Sequence, residues 1–393
     1  MNIGLFTETY YPELNGVATS VLTLKTELEK MGHNVYVFTT TTPGAPEYEY
    51  NVFRVPSLPC VLVSERRVGM FYQPRLAGII KKLNLDLIHT HTEFSLGIFG
   101  RIMARELHLP TIHTYHTIYE DYTHYIAKFK GLDRGAKAFV RSYTKFCCNG
   151  VETVIVPTEK VKDLLTAYSV YKEIEVIPTG INLDKFEKSK YSEEEIQMLR
   201  EEYGMNKGDK VILYIGRLAK EKNLEEVLEG IPDFMEKHKD AKMAIVGDGP
   251  YREELEKCAE KIKCKDKILF LGEQPWDEIA KFYRLGDVFI SASTSETQGL
   301  TYIEAMASGL PVVAKKDRCL DGILENGCNG FTFETKEEMQ KGLENILYQG
   351  ENASYAKNSR KKIQKYSTIE FAKNVERLYT HVLENSEGLA ERI

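Results

Sequence analysis

Short apolar runs rich in β-branched residues alternate with helix-patterned segments along most of this chain. The run NIGLF at Asn2 to Phe6 is followed by apolar residues at helical spacing over Val17 to Met31, and then by NVYVFTT from Asn34. The same alternation returns after Leu85. Because strands separated by helices pair in parallel with helices on both faces of the sheet, the pattern predicts an α/β fold of the doubly wound type.

A second strand-helix series begins with KVILYIGR at Lys210 to Arg217, so we expect two Rossmann-like domains facing a cleft. The length of 393 residues also exceeds what one hydrophobic core normally organises. Pro178 to Gly180 follows the last strand of the first series and marks the expected boundary. We predict a first domain over 1–180 and a second over 181–365. Residues 366–393 would form a helix that packs back on the first domain.

The composition is that of a globular cytoplasmic protein. Seven cysteines include no C-x-x-C pair and no Cys/His cluster at zinc spacing, which is typical of reduced thiols. No leader precedes the first strand and no apolar run reaches about 18 residues, so we expect the chain to stay in the cytoplasm without crossing a membrane. The net charge of −6 argues against a general nucleic-acid binder.

Residues that follow the predicted strands are the candidates for ligand binding, because ligands of open α/β sheets collect beyond the carboxyl ends of the strands. GRLAKEKN at Gly216 to Asn223 places Arg217 and Lys222 at such an end, a pairing suited to a diphosphate. A solvated basic loop is the alternative. Weaker signals come from Gly16 and Val17 at a helix start and from Gly247 in a GDG turn, which also occur as plain turn glycines.

SETQGLTYIE at Ser295 to Glu304 is the strongest single constellation, since it follows a strand and leads into a helix. Gly299, Leu300 and Thr301 would expose backbone N–H groups to an anion at the helix start. Glu296 and Glu304 could accept hydrogen bonds from sugar hydroxyls. The alternative is that these glutamates only complement the helix dipole.

Imidazoles and carboxylates crowd the ends of two strands in the first domain. They are His89, His91, Glu93, His113, His116, Glu120, Asp121 and His124. Their spacing matches no standard metal motif, so we predict no metal site and expect one or two histidines to contact a ligand, the others being partly buried spacers.

The stretch from Tyr125 to Cys148 combines apolar residues at helical spacing with a local excess of positive charge. Its cations are Lys128, Lys130, Arg134, Lys137, Arg141 and Lys145, against Asp133 as the one acid from Ile126 to Lys145. Helical spacing puts apolar residues on one side and cations on the other, as in an interfacial helix attracted to an anionic phospholipid surface. An ordinary amphipathic helix packed on its own sheet is the close alternative.

Two strings resemble glycosyltransferase family 4, whose fold is GT-B, and the resemblance spans essentially the whole chain. They are GRL-x-x-EKN at Gly216 to Asn223 and the glutamates Glu296 and Glu304, with seven residues between them. The resemblance implies that Arg217 and Lys222 hold the donor diphosphate, that Glu296 contacts the transferred sugar and that Glu304 contacts the ribose. Thr297-Gln298 replaces the Gly-Phe of many members, which leaves the donor sugar open.

The NGVATSV, TYHTIYEDY and SETQGLTYIEA strings are most similar to the family's diacylglycerol glucosyltransferases. This similarity implies a retaining transfer of glucose from UDP-glucose to diacylglycerol by a peripheral, monotopic enzyme on the cytoplasmic side of the cell membrane. His116 would contact the sugar near the reacting carbon, and Tyr119, Glu120 and Asp121 would bind the acceptor. No tightly bound cofactor is implied, and Mg²⁺ remains open as an activator.

Several alternatives stay open from sequence. Another donor sugar or lipid acceptor, such as mannosyl transfer to phosphatidylinositol, fits the same motifs, and a sugar-nucleotide epimerase fits less well. From a different class comes a catalytically silent sugar-nucleotide-binding membrane scaffold, which would not need Arg217, Lys222, Glu296 and Glu304 together. A nucleic-acid binder would need stacking platforms and an overall basic charge.

Overall fold

The computed structural model describes residues 1–13, 15–59, 67–122, 133–350 and 352–390. The chain divides into two compact units, of which unit 1 comprises Met1–Gly180 with Thr368–Ile393, and unit 2 comprises Ile181–Ser367. In the described part of the chain, no helix is both long and apolar enough to span a membrane.

Unit 1 is built on a seven-stranded parallel sheet with strand order β3-β2-β1-β6-β7-β8-β9. Its strands are β1 (Asn2–Phe6), β2 (Asn34–Thr40), β3 (Val52–Val55), β6 (Leu87–Thr90), β7 (Thr111–Thr114), β8 (Thr153–Val156) and β9 (Glu173–Val176), with a separate antiparallel hairpin of β4 (Ser57–Pro59) and β5 (Arg67–Gly69). Its first helices are α1 (Gly16–Lys30), α2 (Pro74–Ile80), α3 (Ser95–Leu107), α4 (Asp133–Asn149) and α5 (Glu159–Ala167). The central strands are buried along almost their whole length, because helices cover both faces.

Unit 2 is built on a six-stranded parallel sheet with strand order β12-β11-β10-β13-β14-β15. Its strands are β10 (Lys210–Ile215), β11 (Ala241–Val246), β12 (Ile268–Gly272), β13 (Val288–Ser291), β14 (Val312–Lys315) and β15 (Gly330–Phe333). Its helices are α6 (Glu193–Glu202), α7 (Leu224–Gly230), α8 (Pro232–Lys237), α9 (Arg252–Glu260), α10 (Ile279–Tyr283), α11 (Leu300–Ala307), α12 (Lys336–Glu344) and α13 (Asn352–Ile363). Alternate residues of β10 join two separate apolar cores: Val211 and Leu213 lie in one, Ile212 and Tyr214 in the other. The predicted doubly wound α/β architecture is therefore confirmed.

The last helix, α14 (Thr368–Ala390), belongs to unit 1 although it follows unit 2 in the chain. Phe371, Val375 and Tyr379 of this helix share an apolar core with Val21 and Leu24 of α1. The chain therefore returns to its first unit through burial of an amphipathic face.

Each sheet reverses its strand order at one point, between β1 and β6 in unit 1 and between β10 and β13 in unit 2. At such a point the loops leave neighbouring strands in opposite directions and open a space for a ligand. The loop after β10 carries Arg217 and the loop after β13 carries Glu296. The topology thus places the two family motifs on either side of the reversal.

Candidate active site

Arg217, in the loop after β10, is held by one hydrogen bond to its carbonyl oxygen and another from its side chain. The Tyr214 hydroxyl donates to the carbonyl oxygen of Arg217 at 3.2 Å. The Arg217 guanidinium donates to the carboxylate of Glu221, one helical turn further on. Glu221 is almost fully buried and Arg217 is one-third exposed, so the acid orients a cation whose outer edge remains accessible.

Gly247 allows the loops after β10 and β11 to touch through their backbones. Its φ of +132° lies in the region that favours glycine, and a Cβ there would lie 2.1 Å from the carbonyl oxygen of Gly216. Leu218 also donates its N–H to the carbonyl oxygen of Asp248 at 2.9 Å. A side chain at position 247 would therefore push the Gly216–Arg217 loop off its strand end.

Lys222 and Glu296 join the two sequence motifs directly. The Lys222 ammonium donates to Oε1 of Glu296 at 2.6 Å, and both side chains are mostly buried. The Ser295 hydroxyl donates to the carbonyl oxygen of Glu221 at 3.3 Å, which ties the same two loops together a second time. A cation from one strand end and a carboxylate from another thus form a single polar cluster.

Gly299 immediately precedes α11, as its N-cap, in a left-handed conformation with φ +74°. A Cβ at this position would lie 2.4 Å from the ring of Tyr302, whose hydroxyl donates to Oγ of Ser291 at 3.0 Å. In the described structure no side chain caps this helix start, which begins with Leu300 and Thr301. The first N–H groups of α11 therefore lie next to the loop that carries Glu296, as an anion site requires.

Glu304, the second glutamate of the motif, lies within helix α11. Its Oε2 accepts a hydrogen bond from the Tyr283 hydroxyl at 2.7 Å. Burial raises the pKa of this carboxyl to about 7, against the smaller lowering effects of the Tyr283 hydrogen bond and of the nearby Lys185 ammonium. Lys185 in turn donates to the carbonyl oxygen of Trp276 at 2.6 Å and lies over its ring. Spacing along the sequence gave no sign of Tyr283, Lys185 or Trp276 as neighbours of Glu304.

Glu304→Gln is expected to raise the stability of the protein above pH 7. The folded protein takes up a proton on Glu304 between pH 4.5 and about 7, so the free energy of unfolding falls as the pH rises through this window. Above pH 7 the full cost of the buried charge is present, and glutamine removes it while keeping an acceptor for Tyr283. Denaturant unfolding at pH 8 should show a gain of about 1 to 3 kcal/mol. A gain equally large at pH 4.5 would contradict the assignment to charge burial.

In unit 1 the start of α1 is capped by its own chain. Oδ1 of Asn15 accepts hydrogen bonds from the N–H groups of Val17 and Ala18, at 3.1 and 3.0 Å. Gly16 is exposed, whereas the N–H of Val17, the other weak candidate for ligand binding at this helix start, donates to the Asn15 side chain. The reason is the strong preference of asparagine for an N-cap, a signal that the sequence carried in NGV.

The histidines of unit 1 meet at the ends of β6 and β7, as their positions after neighbouring strands predicted. Nδ1 of His91 lies 3.1 Å from Nε2 of His116. His89 contacts the hydroxyls of Tyr379 at 2.6 Å and Thr114 at 2.7 Å. Burial lowers the pKa of His116 to about 3 and those of His89 and His91 well below their usual value. Among the described residues, no group of three or more metal-binding side chains is arranged to hold an ion.

Tyr119, Glu120 and Asp121 lie on a single 3-10 turn, Tyr119–Tyr122, which begins three residues after His116. Tyr119 donates its hydroxyl to the carboxylate of Glu93, and Glu120 accepts from Arg141 of α4, with Nη2 at 3.2 Å. Glu120 is thus paired with Arg141, one of the predicted membrane cations. The buried Glu93, one of the carboxylates that the sequence placed at these strand ends, also lies 3.2 Å from His113.

Helix α4 exposes both aromatic and basic side chains. Phe139 and Phe146 are 70% and 68% exposed, and Arg134 and Lys145 are exposed as well. Thr144, Cys147 and Cys148 occupy the buried face of this helix, so the apolar Phe139 is not part of the core of unit 1. Lys137 is half-buried, and Lys128 and Lys130 lie outside the described residues.

Comparison with known proteins gives two family matches that follow one another along the chain. The model described as Glycosyltransferase Family 4 matches residues 14–185, and the model described as Glycosyl transferases group 1 matches residues 195–368. The chain belongs to glycosyltransferase family 4 and is a glycosyltransferase.

Two curated relatives match nearly the whole chain. It is 40% identical to an alpha-monoglucosyldiacylglycerol synthase of Streptococcus pneumoniae over 380 residues, which are 96% of this chain and 85% of that protein. It is 36% identical to the synthase of the same name from Acholeplasma laidlawii, covering 98% of each. Among solved structures, Anabaena HepE in complex with UDP aligns with a TM-score of 0.76 at 18% identity, covering 97% of this chain and 100% of that one. This likeness supports the GT-B fold.

Proposed function

We propose that this chain transfers glucose from UDP-glucose to the free hydroxyl of 1,2-diacylglycerol, with retention at the anomeric carbon, as a peripheral enzyme on the cytoplasmic side of the membrane. The observation that carries the proposal is the Lys222–Glu296 pair at the strand-order reversal of unit 2, 2.6 Å apart, with Arg217 in the same loop region as Lys222. The names of the two relatives supply the acceptor and the sugar.

The donor would bind at the carboxyl ends of β10 and β13. Arg217 offers a planar pair of N–H groups and Lys222 a point charge, which together suit a diphosphate. Gly216 and Gly247 keep the backbone free of side chains there, and the first N–H groups of α11 add a helix terminus aimed at negative charge. These groups would stabilise the charge that builds on the departing UDP.

The two glutamates would take different parts of the donor. Glu296, held by Lys222, would accept hydrogen bonds from the hydroxyls of the transferred sugar. Glu304, held by Tyr283, would accept from the ribose. An ion-paired carboxylate is a weak nucleophile, which favours a same-face attack assisted by the leaving phosphate over a covalent intermediate on Glu296.

Unit 1 would supply His116 and the acceptor contacts of Tyr119, Glu120 and Asp121. The low pKa of His116 keeps its ring neutral at physiological pH, so it would act as a hydrogen-bond partner of the sugar rather than as a cation. Because Glu120 is paired with Arg141, it would in addition position the turn Tyr119–Tyr122 relative to α4.

The exposed face of α4 would meet the membrane. Phe139 and Phe146 can enter the acyl boundary while Arg134 and Lys145 approach anionic headgroups. Binding to the membrane would then need no membrane-spanning helix, since insertion of the aromatic side chains and attraction between the cations and anionic lipid act together at the membrane surface.

Arg134→Gln combined with Lys145→Gln is expected to weaken binding to anionic vesicles by roughly 10- to 30-fold, since each surface cation contributes about 1 kcal/mol near anionic lipid. Binding to neutral phosphatidylcholine vesicles should change little. Sedimentation with vesicles of the two compositions measures this. The matched control, Lys257→Gln with Lys263→Gln, removes two exposed cations from unit 2 and should bind like the wild type. Equal loss in both double variants would refute a specific role for α4.

The function itself is tested by incubating the purified chain with radiolabelled UDP-glucose and diacylglycerol in phosphatidylglycerol vesicles, followed by lipid extraction and chromatography. A labelled monoglucosyl lipid with an α-linkage supports donor, acceptor and stereochemistry together. Parallel reactions contain UDP-galactose or GDP-mannose as donor and phosphatidylinositol as acceptor, because Thr297-Gln298 departs from the common family string. If lipid is labelled only with another donor or another acceptor, the proposed donor or acceptor is wrong. If UDP binds but no labelled lipid forms, the proposed transfer to lipid is wrong and only the assignment of the donor site is retained.

A further inference from the structure

A cavity of about 410 Å³ lies in unit 1 at the amino ends of β7 and β8. Its wall includes Thr111, the first residue of β7, and Glu152, which precedes β8. His116 and the turn Tyr119–Tyr122 follow the opposite, carboxyl end of β7, and a four-residue strand spans about 13 Å. The cavity is therefore separate from the candidate active site, and its volume is in the range of binding sites for small molecules.

One face of helix α3 brings positive charge into the wall of this cavity. Arg101, Arg105 and His108 all line it, and their spacing along the chain places them on the same side of the helix and its end. Arg101 and Arg105 are four residues apart, a spacing at which two like charges repel each other. The neighbouring acid Glu106 does not offset them, because its carboxylate pairs with Lys81 at 3.1 Å.

Arg101 differs from the other cations of the wall because it is buried, with 7% of the residue exposed. Its Nη2 donates to Sγ of Cys147 at 3.5 Å, and its Nη1 has no hydrogen-bond partner in the part of the chain that the structure describes. A thiol is a weak acceptor, so the guanidinium has too few acceptors for a buried cation. An anion in the cavity that Arg101 lines would supply both an acceptor and a counter-charge.

Compensation of the helix dipole does not account for Arg101. Cations often complement the negative end of a helix, but this effect is confined to its last turn. Arg105 lies in the last turn of α3, whereas Arg101 lies more than one turn before the end of the helix at Leu107. Among the described residues that line the cavity, Glu152 is the one acid, and its Oε2 accepts from the N–H of Thr111 at 2.5 Å. Two arginines thus outweigh a single carboxylate that is bound to the start of β7.

We propose that this cavity binds the phosphate group of a small molecule from solution, with Arg101 and Arg105 as its main contacts. Each guanidinium offers paired N–H donors that match two phosphate oxygens. The described residues that line the cavity include no phenylalanine, tyrosine or tryptophan, in contrast to the exposed Phe139 and Phe146 of α4, so the wall lacks the aromatic anchors of a lipid-facing surface. The proposal does not depend on the proposed function, because it concerns the opposite edge of the sheet.

Phosphate binding is measured by isothermal titration of the full chain with inorganic phosphate and with glycerol 3-phosphate, at constant ionic strength. UDP is present in excess, so that the region of Arg217 and Lys222 is occupied and the probes report on other sites. We expect saturable binding of at least one probe by the wild type and no saturable response to sodium chloride. Absence of saturable binding for both probes would overturn the proposal.

Arg101→Met and Arg105→Gln locate the site. Arg101→Met keeps the length of the side chain and removes its charge, so phosphate affinity should fall about 10-fold or more, while thermal stability without phosphate should equal or exceed that of the wild type. Arg105→Gln changes an exposed residue, which keeps the test valid if Arg101→Met fails to fold, and should weaken binding roughly 10-fold. Arg75→Gln removes an exposed arginine of α2 as the matched control and should bind like the wild type. Wild-type affinity in Arg105→Gln, or an equal loss in Arg75→Gln, would refute the site.

Vesicles distinguish a phosphate from solution from that of a lipid headgroup. Phosphatidylglycerol vesicles are sedimented with Arg101→Met, Arg105→Gln and the control Arg75→Gln. Equal vesicle binding by the three variants, together with saturable binding of glycerol 3-phosphate by the wild type, supports a ligand from solution. Vesicle binding that falls in the two cavity variants alone, without binding of either soluble probe, would overturn this source and assign the phosphate to a lipid headgroup.

Discussion

Arg217→Ala is expected to lower kcat about 100-fold or more, because removal of one preorganised donor to developing charge typically costs about 3 to 4 kcal/mol. The guanidinium is held by Glu221 and follows the end of β10, where the diphosphate would lie. The loss should appear in kcat more than in KM, since the charge on the leaving group grows toward the transition state. Initial rates with labelled UDP-glucose, together with UDP binding by calorimetry, separate the two effects.

Arg252 provides the matched control for this variant. Its side chain is 33% exposed, as is that of Arg217, and each arginine pairs with a glutamate four residues further on, Glu256 and Glu221. Arg252→Ala removes the same charge from the same unit, together with the ion pairs of Arg252 to Glu256 and Asp248. We expect it to keep at least half of the wild-type kcat. Unchanged turnover in Arg217→Ala, or an equal loss in Arg252→Ala, would defeat the assignment of the diphosphate site.

The central strands and the helices packed on them could be predicted from the sequence, because the spacing of apolar residues differs between a buried strand and an amphipathic helix. Strands β1 and β2 have the bounds that periodicity gave, and β10 lies within the predicted run Lys210 to Arg217. Each of these segments is buried on a sheet face or along a helix stripe, so its pattern reflects the core directly.

One edge strand of each sheet, β3 in unit 1 and β15 in unit 2, was not predicted, because a short edge strand carries little pattern. β3 at one edge of unit 1 and β15 at one edge of unit 2 have four residues each, and both are only partly buried. The hairpin of β4 and β5 is still shorter. Side-chain identity at such positions is weakly constrained, so propensity cannot separate them from loops.

The candidate donor residues could be located from sequence, but their partners could not. The motifs give Arg217, Lys222, Glu296 and Glu304, whereas Tyr283 and Lys185 reach Glu304 from other elements at large separations along the chain. The same limit applies to Phe139, whose exposure depends on which side of α4 the sheet occupies. The spacing of apolar residues predicts a helix and its apolar face, but tertiary packing decides which face of the helix is buried.

Lys222→Ala is the variant with the other large expected effect, and its reason is electrostatic. It removes a charge from the diphosphate and also leaves the Glu296 carboxylate, 2.6 Å away in the wild type, without its counter-charge beside a negative ligand. At an effective dielectric constant of about 20, two charges 4 Å apart interact by about 4 kcal/mol. We expect UDP affinity to fall about 100-fold and turnover of UDP-glucose to fall at least as far.

The double variant Lys222→Ala with Glu296→Ala separates charge from sugar recognition. UDP carries the diphosphate but no sugar, so removal of the unpaired carboxylate should restore part of its affinity, by about 1 to 3 kcal/mol of coupling. Turnover of UDP-glucose should not recover, because the sugar loses its contact with Glu296. Relative to Lys222→Ala, the UDP affinity measured by calorimetry should therefore rise, whereas the initial rate with UDP-glucose should not. If the two losses simply add for UDP, Glu296 does not act on the diphosphate through Lys222, and the ion pair serves only to join the loops after β10 and β13.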